Sequence, residues 1–333
     1  MSWDVKKVAV IGAGTMGHGI AQCFAQAGYF TYLMDSQPES LERARRLIDS
    51  SLATLAEEGI IDTASVSAAK ERIVFTTALE EAAEDTDIAI ESVVEDKQVK
   101  KNVFAQLDAC CPSRTLLASN TTLLNLFDFV ETSRPDKVLL SHWYAPPQII
   151  PLVDVVKGPQ TSDASIELMV RVLKDMGKRP VVFKKPVAGY AVSRIQLALI
   201  REAFFLLDDD YLSAEELDEA VRWGLGLRML VLGLCQRVDF TGLDLAARNL
   251  KNPSFSPTPV EYMPKKIFEL VEQGRLGVKS GAGFYDYTLE AAPKRPVTIG
   301  VGFELARLDT VYPQPHDVPL DFIVTERGLQ RRP

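Results

Sequence analysis

The feature that most constrains this chain is a glycine turn set between two apolar runs and closed by an acid. Residues 8–11 (Val-Ala-Val-Ile) lead into Gly12-Ala-Gly-Thr-Met-Gly17, a helical stretch follows over 18–27, and residues 29–34 then run into Asp35. Strand, glycine turn, helix, strand and acid is the order of a dinucleotide-binding unit. Gly12 permits the tight turn, Gly14 lets a pyrophosphate approach bare backbone, and Gly17 lets the helix pack against the strand. Thr15 and Met16 lie inside the turn and are counted with it as coenzyme contacts. The helix N-terminus adds free N–H groups and the positive end of its dipole. Asp35 is placed to accept hydrogen bonds from the adenosine ribose and to repel a 2′-phosphate, which selects NAD over NADP.

The first half of the chain keeps alternating. Strand-like runs at 73–76, 88–92, 115–119, 137–143, 152–156 and 179–183 interleave with helical stretches at 38–58, 64–72 and 99–111. In the last of these Val103, Phe104 and Leu107 share a face. Such alternation implies an open, mostly parallel sheet with helices on both sides. The character changes near Lys184-Lys-Pro186. From Tyr190 onward Ile195, Leu199, Ala203, Leu206 and Leu207 fall on one helical face, and Ser213-Ala-Glu-Glu reads as a capping-box start. The expected architecture is an α/β Rossmann-like NAD-binding domain over 1–186 and an all-α domain over 187–333. A proline-punctuated, irregular tail from about residue 289 packs over that domain or over a dimer partner.

Charge and cysteine usage narrow the partners. A net charge of −8 argues against nucleic acid and anionic membrane. No run approaches the roughly 20 apolar residues of a membrane span, and the N-terminal apolar run is too short for a signal peptide. Cys23, Cys110, Cys111 and Cys235 include one adjacent pair and no CxxC spacing. They fit reduced thiols of a cytoplasmic protein, with neither a disulfide frame nor a metal site.

Histidine is scarce: His18, His142 and His316 are the whole set. Oxidising an alcohol with NAD needs a base for the hydroxyl proton, and imidazole is the side chain best matched to that near neutral pH. His142 ends the run Val138-Leu-Leu-Ser-His, and the carboxyl ends of such strands face the coenzyme crevice. Asp154 stands in Leu152-Val-Asp-Val-Val, where a carboxylate is costly unless paired. An imidazole is a suitable partner, its tautomer fixed by the acid. The alternative, for these residues taken alone, is a structural strand-end histidine beside an ordinary capped acid. His18 reads as a neutral helix residue, and His316 sits in the tail with no motif around it.

Seven runs together carry a resemblance over residues 6–287. They are Gly12-Ala-Gly-Thr-Met-Gly-His-Gly-Ile-Ala, Glu91-Ser-Val-Val-Glu-Asp, Ala118-Ser-Asn-Thr-Thr, Ser141-His-Trp-Tyr-Ala-Pro-Pro, Pro151-Leu-Val-Asp-Val-Val, Gly189-Tyr-Ala-Val-Ser-Arg and Lys279-Ser-Gly-Ala-Gly-Phe-Tyr-Asp-Tyr. The chain resembles the L-3-hydroxyacyl-CoA dehydrogenase family, which includes the lambda-crystallin/L-gulonate 3-dehydrogenase branch. The resemblance implies a Rossmann-like domain, a helical domain that forms a homodimer, and NAD-dependent oxidation of the hydroxyl of a 3-hydroxy compound. It makes His142 the catalytic base, Asp154 its orienting acid, and Thr122 the match to a serine whose hydroxyl binds the substrate oxygen. Glu95 and Lys100 match an acid and a lysine that line the nicotinamide and its ribose; read without the family they are a solvated helix-start pair. Asn120, inside Ala118-Ser-Asn-Thr-Thr, is counted with the coenzyme contacts.

The departures from the family pattern bear on substrate. Asp154 replaces the usual Glu, and Ala145 and Ser193 replace asparagines that lie beside substrate and nicotinamide. Lost amides weaken a pocket built for a thioester-linked keto group. Residues 41–72 carry Glu57, Glu58 and Asp62, with Lys70 as the one lysine, where CoA-using members carry several. These features favour a small carboxylate. Arg228, in Trp223-Gly-Leu-Gly-Leu-Arg228, matches an arginine of the small-acid branch and is the candidate carboxylate ligand, or else a surface arginine; Arg194 is a second candidate. Ser193 and Trp143 are counted on the substrate side. Trp143 and Tyr144 either stack on a ring-shaped substrate or form wall packing. The His-Trp-x-x-Pro-Pro and Trp-Gly-Leu-Gly runs loosely resemble a branch that acts on a pyridine carboxylate. The alternatives to a small-acid dehydrogenase are a short-chain L-3-hydroxyacyl-CoA dehydrogenase and a catalytically weak, crystallin-like or sensory NAD binder.

Overall fold

Short runs of Val, Ile, Leu and Ala recur through the first half of the chain, and each becomes a strand of one sheet. In the computed structural model, residues 4–252, 258–259, 261–287, 299–301, 322–325 and 328–331 are described. The strands are β1 (Lys7–Ile11), β2 (Phe30–Met34), β3 (Ile73–Thr76), β4 (Ile88–Glu91), β5 (Leu116–Ser119), β6 (Val138–Trp143), β7 (Leu152–Lys157) and β8 (Arg179–Phe183). Their order is β3-β2-β1-β4-β5-β6-β7-β8. The order reverses between β1 and β4, which is where an open α/β sheet offers its ligand crevice.

Helices cover both faces of the central strands β1, β4, β5 and β6, which are apolar on both sides, whereas edge strand β8 is exposed. Val8 and Val10 of β1 pack into one cluster with Ile20, Phe24, Ile48 and Leu52 of α1 (Gly17–Gln26) and α2 (Pro38–Glu57). Ala9 and Ile11 pack into the other with Ala82 of α4 (Leu79–Ala83) and Phe104 and Leu107 of α5 (Lys97–Cys110). Between them in sequence α3 (Thr63–Glu71) starts on Asp62, whose carboxylate accepts from Ser65 N. α6 (Asp163–Asp175) connects β7 to β8, capped by Ser162. The sequence reading assigns no element there, although Ile166, Met169, Val172 and Leu173 already mark an apolar face.

Every pairing in the sheet is parallel except β6 with β7. The connection over 144–151 is shorter than the dozen or so residues a parallel crossover requires, so β7 turns back beside β6. The register sets His142 opposite Asp154.

The chain divides into two compact units: the first runs to Tyr190 and also takes the described tail residues 299–301, 322–325 and 328–331, and the second begins at Ala191. The second is helical in its described residues. It contains α7 (Tyr190–Asp208), α8 (Ala214–Glu219), a π-helical turn over Ala220–Gly226, α9 (Leu227–Val231), α10 (Leu234–Thr241), α11 (Leu243–Leu250) and α12 (Lys265–Glu272). Ser213 and Glu216 form the capping box at α8. Much of the tail, His316 included, lies outside the described residues. The pieces described there depart from the irregular segment expected from its prolines. β9 (Ile299–Val301), β10 (Phe322–Thr325) and β11 (Gly328–Arg331) pair in the order β11-β10-β9. Runs such as Phe-Ile-Val-Thr favour extended backbone whatever flanks them. No helix among the described residues is long and apolar enough to cross a membrane.

Candidate active site

At the carboxyl end of β1 the glycine turn is built as its sequence requires. Gly12 adopts φ +104°, and a Cβ there would lie 2.5 Å from Ser92 O on the β4 side. A Cβ on Gly17 would lie 1.7 Å from Gly12 O, so the start of α1 folds directly over the turn. At Gly14 an added Cβ meets nothing within 4 Å. The turn is therefore tight behind and open in front. Thr15 is exposed on that open side, and Met16 is half-buried as the N-cap of α1. No side chain caps this helix and its first turn holds no acid, which leaves the N–H end available to an anion. Asp35 follows β2, and its carboxylate accepts from Ala13 N at 2.8 Å and Gln37 N at 3.0 Å, fixed at the rim of the turn. These residues fit the pyrophosphate and ribose of NAD. His18 Nδ1 lies 2.9 Å from Gly14 O; burial lowers its pKa, opposed by that carbonyl, so it stays a neutral helix residue.

Behind the next strand ends lies an ion network that the sequence only partly signals. Glu91 ends β4 fully buried, and Lys100 on α5 is 1% exposed. Their charges meet at 2.7 Å. Glu91 also accepts from Val93 N at 2.8 Å and Ser119 Oγ at 2.5 Å. Lys100 Nζ reaches Glu95 Oε2 at 3.3 Å. Glu95 Oε1 in turn accepts from Thr121 Oγ1 (2.6 Å), Thr122 N (3.1 Å) and Leu123 N (2.9 Å). Burial pushes the Glu95 carboxyl up, but these donors and the Lys100 charge outweigh it and hold the pKa below the usual range. Lys100, expected against the coenzyme, is enclosed and committed to two carboxylates, so it acts by holding Glu95. Glu95 remains partly exposed and is the member of the pair that can touch a ligand. Asn120 is similarly occupied: its Oδ1 accepts from Trp143 N at 2.8 Å and its amide lies 3.4 Å from Ser92 Oγ, tying three strand ends together. Glu91, the buried partner of Lys100, is not singled out in the sequence. A carboxylate ending an apolar strand, with a lysine on the following helix, is the signal that points to it.

The third group comes from the antiparallel pair. Facing residues in such a pair project from the same side of the sheet. His142 Nδ1 lies 3.3 Å from Asp154 Oδ2, and His142 Nε2 lies 3.1 Å from Thr122 Oγ1. His142 is 5% exposed and Asp154 1%. The shorter acid thus reaches the imidazole directly. A buried carboxylate only accepts, so the ring proton belongs on Nδ1 and the lone pair of Nε2 faces the Thr122 hydroxyl. Two phenols flank the imidazole: the Tyr190 ring is tilted with centroids 4.6 Å apart, and the Tyr144 ring is T-shaped with centroids 4.7 Å apart. Tyr190 donates to Thr121 O at 2.6 Å and Tyr144 to Asp154 Oδ2 at 2.7 Å. Burial, then the Asp154 charge, raise both phenols far above their ordinary range, so both are neutral donors.

One expected substrate contact is corrected. Trp143 is 2% exposed and packs in the core against Phe24, its indole N–H donating to Ser141 Oγ at 3.1 Å. A ring enclosed in this way is wall packing and has no face left for a substrate. Ser193 on α7 and Arg228 on α9 belong to the second unit, half-buried and exposed respectively.

Comparison with known proteins matches both parts of the chain to one family. Residues 7–186 match the 3-hydroxyacyl-CoA dehydrogenase NAD-binding domain, and residues 189–287 match the C-terminal domain of the same family. A 3-hydroxybutyryl-CoA dehydrogenase of Clostridioides difficile is 36% identical over 285 residues, 84% of this chain and 99% of that protein. The 5-formyl-3-hydroxy-2-methylpyridine 4-carboxylate 5-dehydrogenase of Mesorhizobium japonicum is 31% identical over 289 residues, 86% of this chain and 92% of that protein. A crystal structure of an enzyme of that activity, described as an NAD-dependent dismutase, superposes with a TM-score of 0.76 at 29% identity, covering 86% of this chain and 92% of that one.

Proposed function

We propose, from the premise that the chain belongs to the 3-hydroxyacyl-CoA dehydrogenase family and is an NAD-dependent dehydrogenase acting on CH–OH, that its substrate is a small 3-hydroxy carboxylate and that His142 is its base. The observation that carries this reading is the pair of contacts on one imidazole. Nδ1 is held by a buried acid, and Nε2 presents its lone pair toward a hydroxyl.

When bound, NAD would supply the acceptor for the hydride that leaves the carbinol carbon. Gly12, Gly14, Thr15, Met16, Gly17 and the N-terminus of α1 would hold its pyrophosphate, Asp35 its adenosine ribose, and Glu95, braced by Lys100, the nicotinamide end. Asn120 keeps the strand ends in register around that end. A substrate hydroxyl lying beside Thr122 Oγ1 is also beside Nε2. His142 takes its proton there, and the Asp154 charge stabilises the resulting imidazolium. Thr122 donates to the same oxygen as it becomes a carbonyl. Arg228 is assigned to the substrate carboxylate and Ser193 to the substrate side, both from their motifs.

The loss of two asparagines, at Ala145 and Ser193, supports a free acid over a thioester. One observation favours the other reading: Arg43, Arg45 and Arg46 are exposed on α2, and they supply cations where lysines are missing. Rates of NADH formation from a short 3-hydroxy acid and from its CoA thioester decide between them. The free acid is expected to give the higher kcat/KM, by at least about tenfold, equivalent to roughly 1.4 kcal/mol of transition-state binding. A preference of that size for the thioester overturns the substrate assignment and leaves the base untouched.

We further assign the chain to the cytoplasm as a homodimer formed through its helical unit. The four cysteines are unpaired. Trp223, Leu230, Val231, Phe240 and Leu250 are exposed there, an apolar load that supports an interface.

A further inference from the structure

The Asp154 carboxylate has two claimants. Tyr144 Oη donates to Oδ2 at 2.7 Å, the shorter of its two contacts, while His142 Nδ1 lies 3.3 Å from the same oxygen. The other oxygen, Oδ1, is buried with no hydrogen-bond partner among the described residues. Both contacts thus fall on one atom, which accepts from the phenol and the imidazole together. A phenol O–H donated to a carboxylate spreads its charge and reduces what it offers a cation on the same oxygen. The Tyr144 ring also packs against the imidazole in a T-shaped arrangement, so its hydroxyl and its ring meet the two members of the pair at once.

We propose that Tyr144 is a positioning residue that shares Asp154 with His142 and thereby sets the pH range over which His142 acts as base. The inference rests on the reading of His142 as that base. Among the described residues the groups facing the imidazole are few. They are Asp154 on β7, Tyr144 on the β6–β7 connection, Tyr190 at the start of α7, and the Thr122 hydroxyl with Glu95 and Lys100 behind it. Of these, Tyr144 alone donates to the acid that orients the ring. Its removal leaves the whole carboxylate charge to the imidazolium, which is then harder to deprotonate.

The test is the pH dependence of kcat/KM for Tyr144→Phe, which keeps the ring and removes the hydroxyl. The acidic limb is expected to move to higher pH by roughly half a unit to one unit, because a nearby opposite charge favours the protonated imidazole. NADH affinity, read by fluorescence titration, stays at the wild-type value. The double variant Tyr144→Phe/Asp154→Asn should reproduce the limb of Asp154→Asn alone, since the hydroxyl acts only through the acid. A Tyr144→Phe limb unmoved from wild type overturns the proposal, whatever happens to kcat. So does a double variant in which the two shifts simply add. His142→Gln keeps the two failures apart: if that variant retains the wild-type acidic limb, the reading of His142 as base is wrong, independently of Tyr144.

Discussion

His142→Gln should lower kcat by about 10²–10⁴-fold while NADH binds as in the wild type, because a positioned general base contributes about that much. Glutamine can still accept from the Thr122 hydroxyl and donate toward Asp154, so the local structure survives. What it lacks is a group that takes a proton near neutral pH. Stopped-flow or steady-state NADH formation gives kcat, and fluorescence titration gives the affinity. A variant that turns over at the wild-type rate would remove His142 from the chemistry. A wild type with NADH affinity and no turnover on hydroxy acids, hydroxyacyl thioesters or aromatic aldehydes would favour the crystallin-like or sensory alternative.

Lys100→Met should destabilise the NAD-binding unit by about 3–5 kcal/mol, the usual cost of removing one partner of a buried pair. Methionine matches the lysine stem, so packing around α5 is kept. Glu91, fully buried, then retains Ser119 and Val93 as donors but has no cation. The shift is read from the urea transition of that unit. Lys97→Met, which removes an exposed lysine from the same helix, should stay within about 0.5 kcal/mol, as surface changes do. Coenzyme affinity should fall with Lys100→Met as well, since Glu95 loses the cation that fixes its second oxygen. A loss below about 1 kcal/mol would mean that the Glu91–Lys100 contact contributes little beyond its own desolvation cost.

The parts of this account that were legible in sequence are the local ones. The Gly12–Gly17 turn announces itself because its steric demands fall on consecutive residues, and the apolar runs mark the central strands β1, β4, β5 and β6 because strands buried on both faces must be apolar throughout. What stayed hidden depends on pairing between distant segments. Alternation of strands and helices suggests parallel neighbours, and only the short connection over 144–151 betrays that β7 runs back along β6. That reversal is what puts Asp154 against His142. The motifs place both residues in the site, but the register alone explains why a shortened acid still reaches. Burial was equally invisible. Trp143 and Lys100 carry chemistry-bearing side chains beside functional ones, yet both are enclosed, one as core and one as a brace. The competing hydroxyl of Tyr144 is a matter of side-chain direction, which no spacing encodes.

The most direct measurement is the geometry of the ternary complex with NAD and a substrate analogue. His142 Nε2 should lie about 3 Å from the analogue's reacting oxygen, within hydrogen-bond reach, with Thr122 Oγ1 on the same oxygen and the nicotinamide C4 facing the adjoining carbon. An imidazole turned so that Nε2 points away from the analogue, or a nicotinamide C4 seated beyond contact of that carbon, would contradict it.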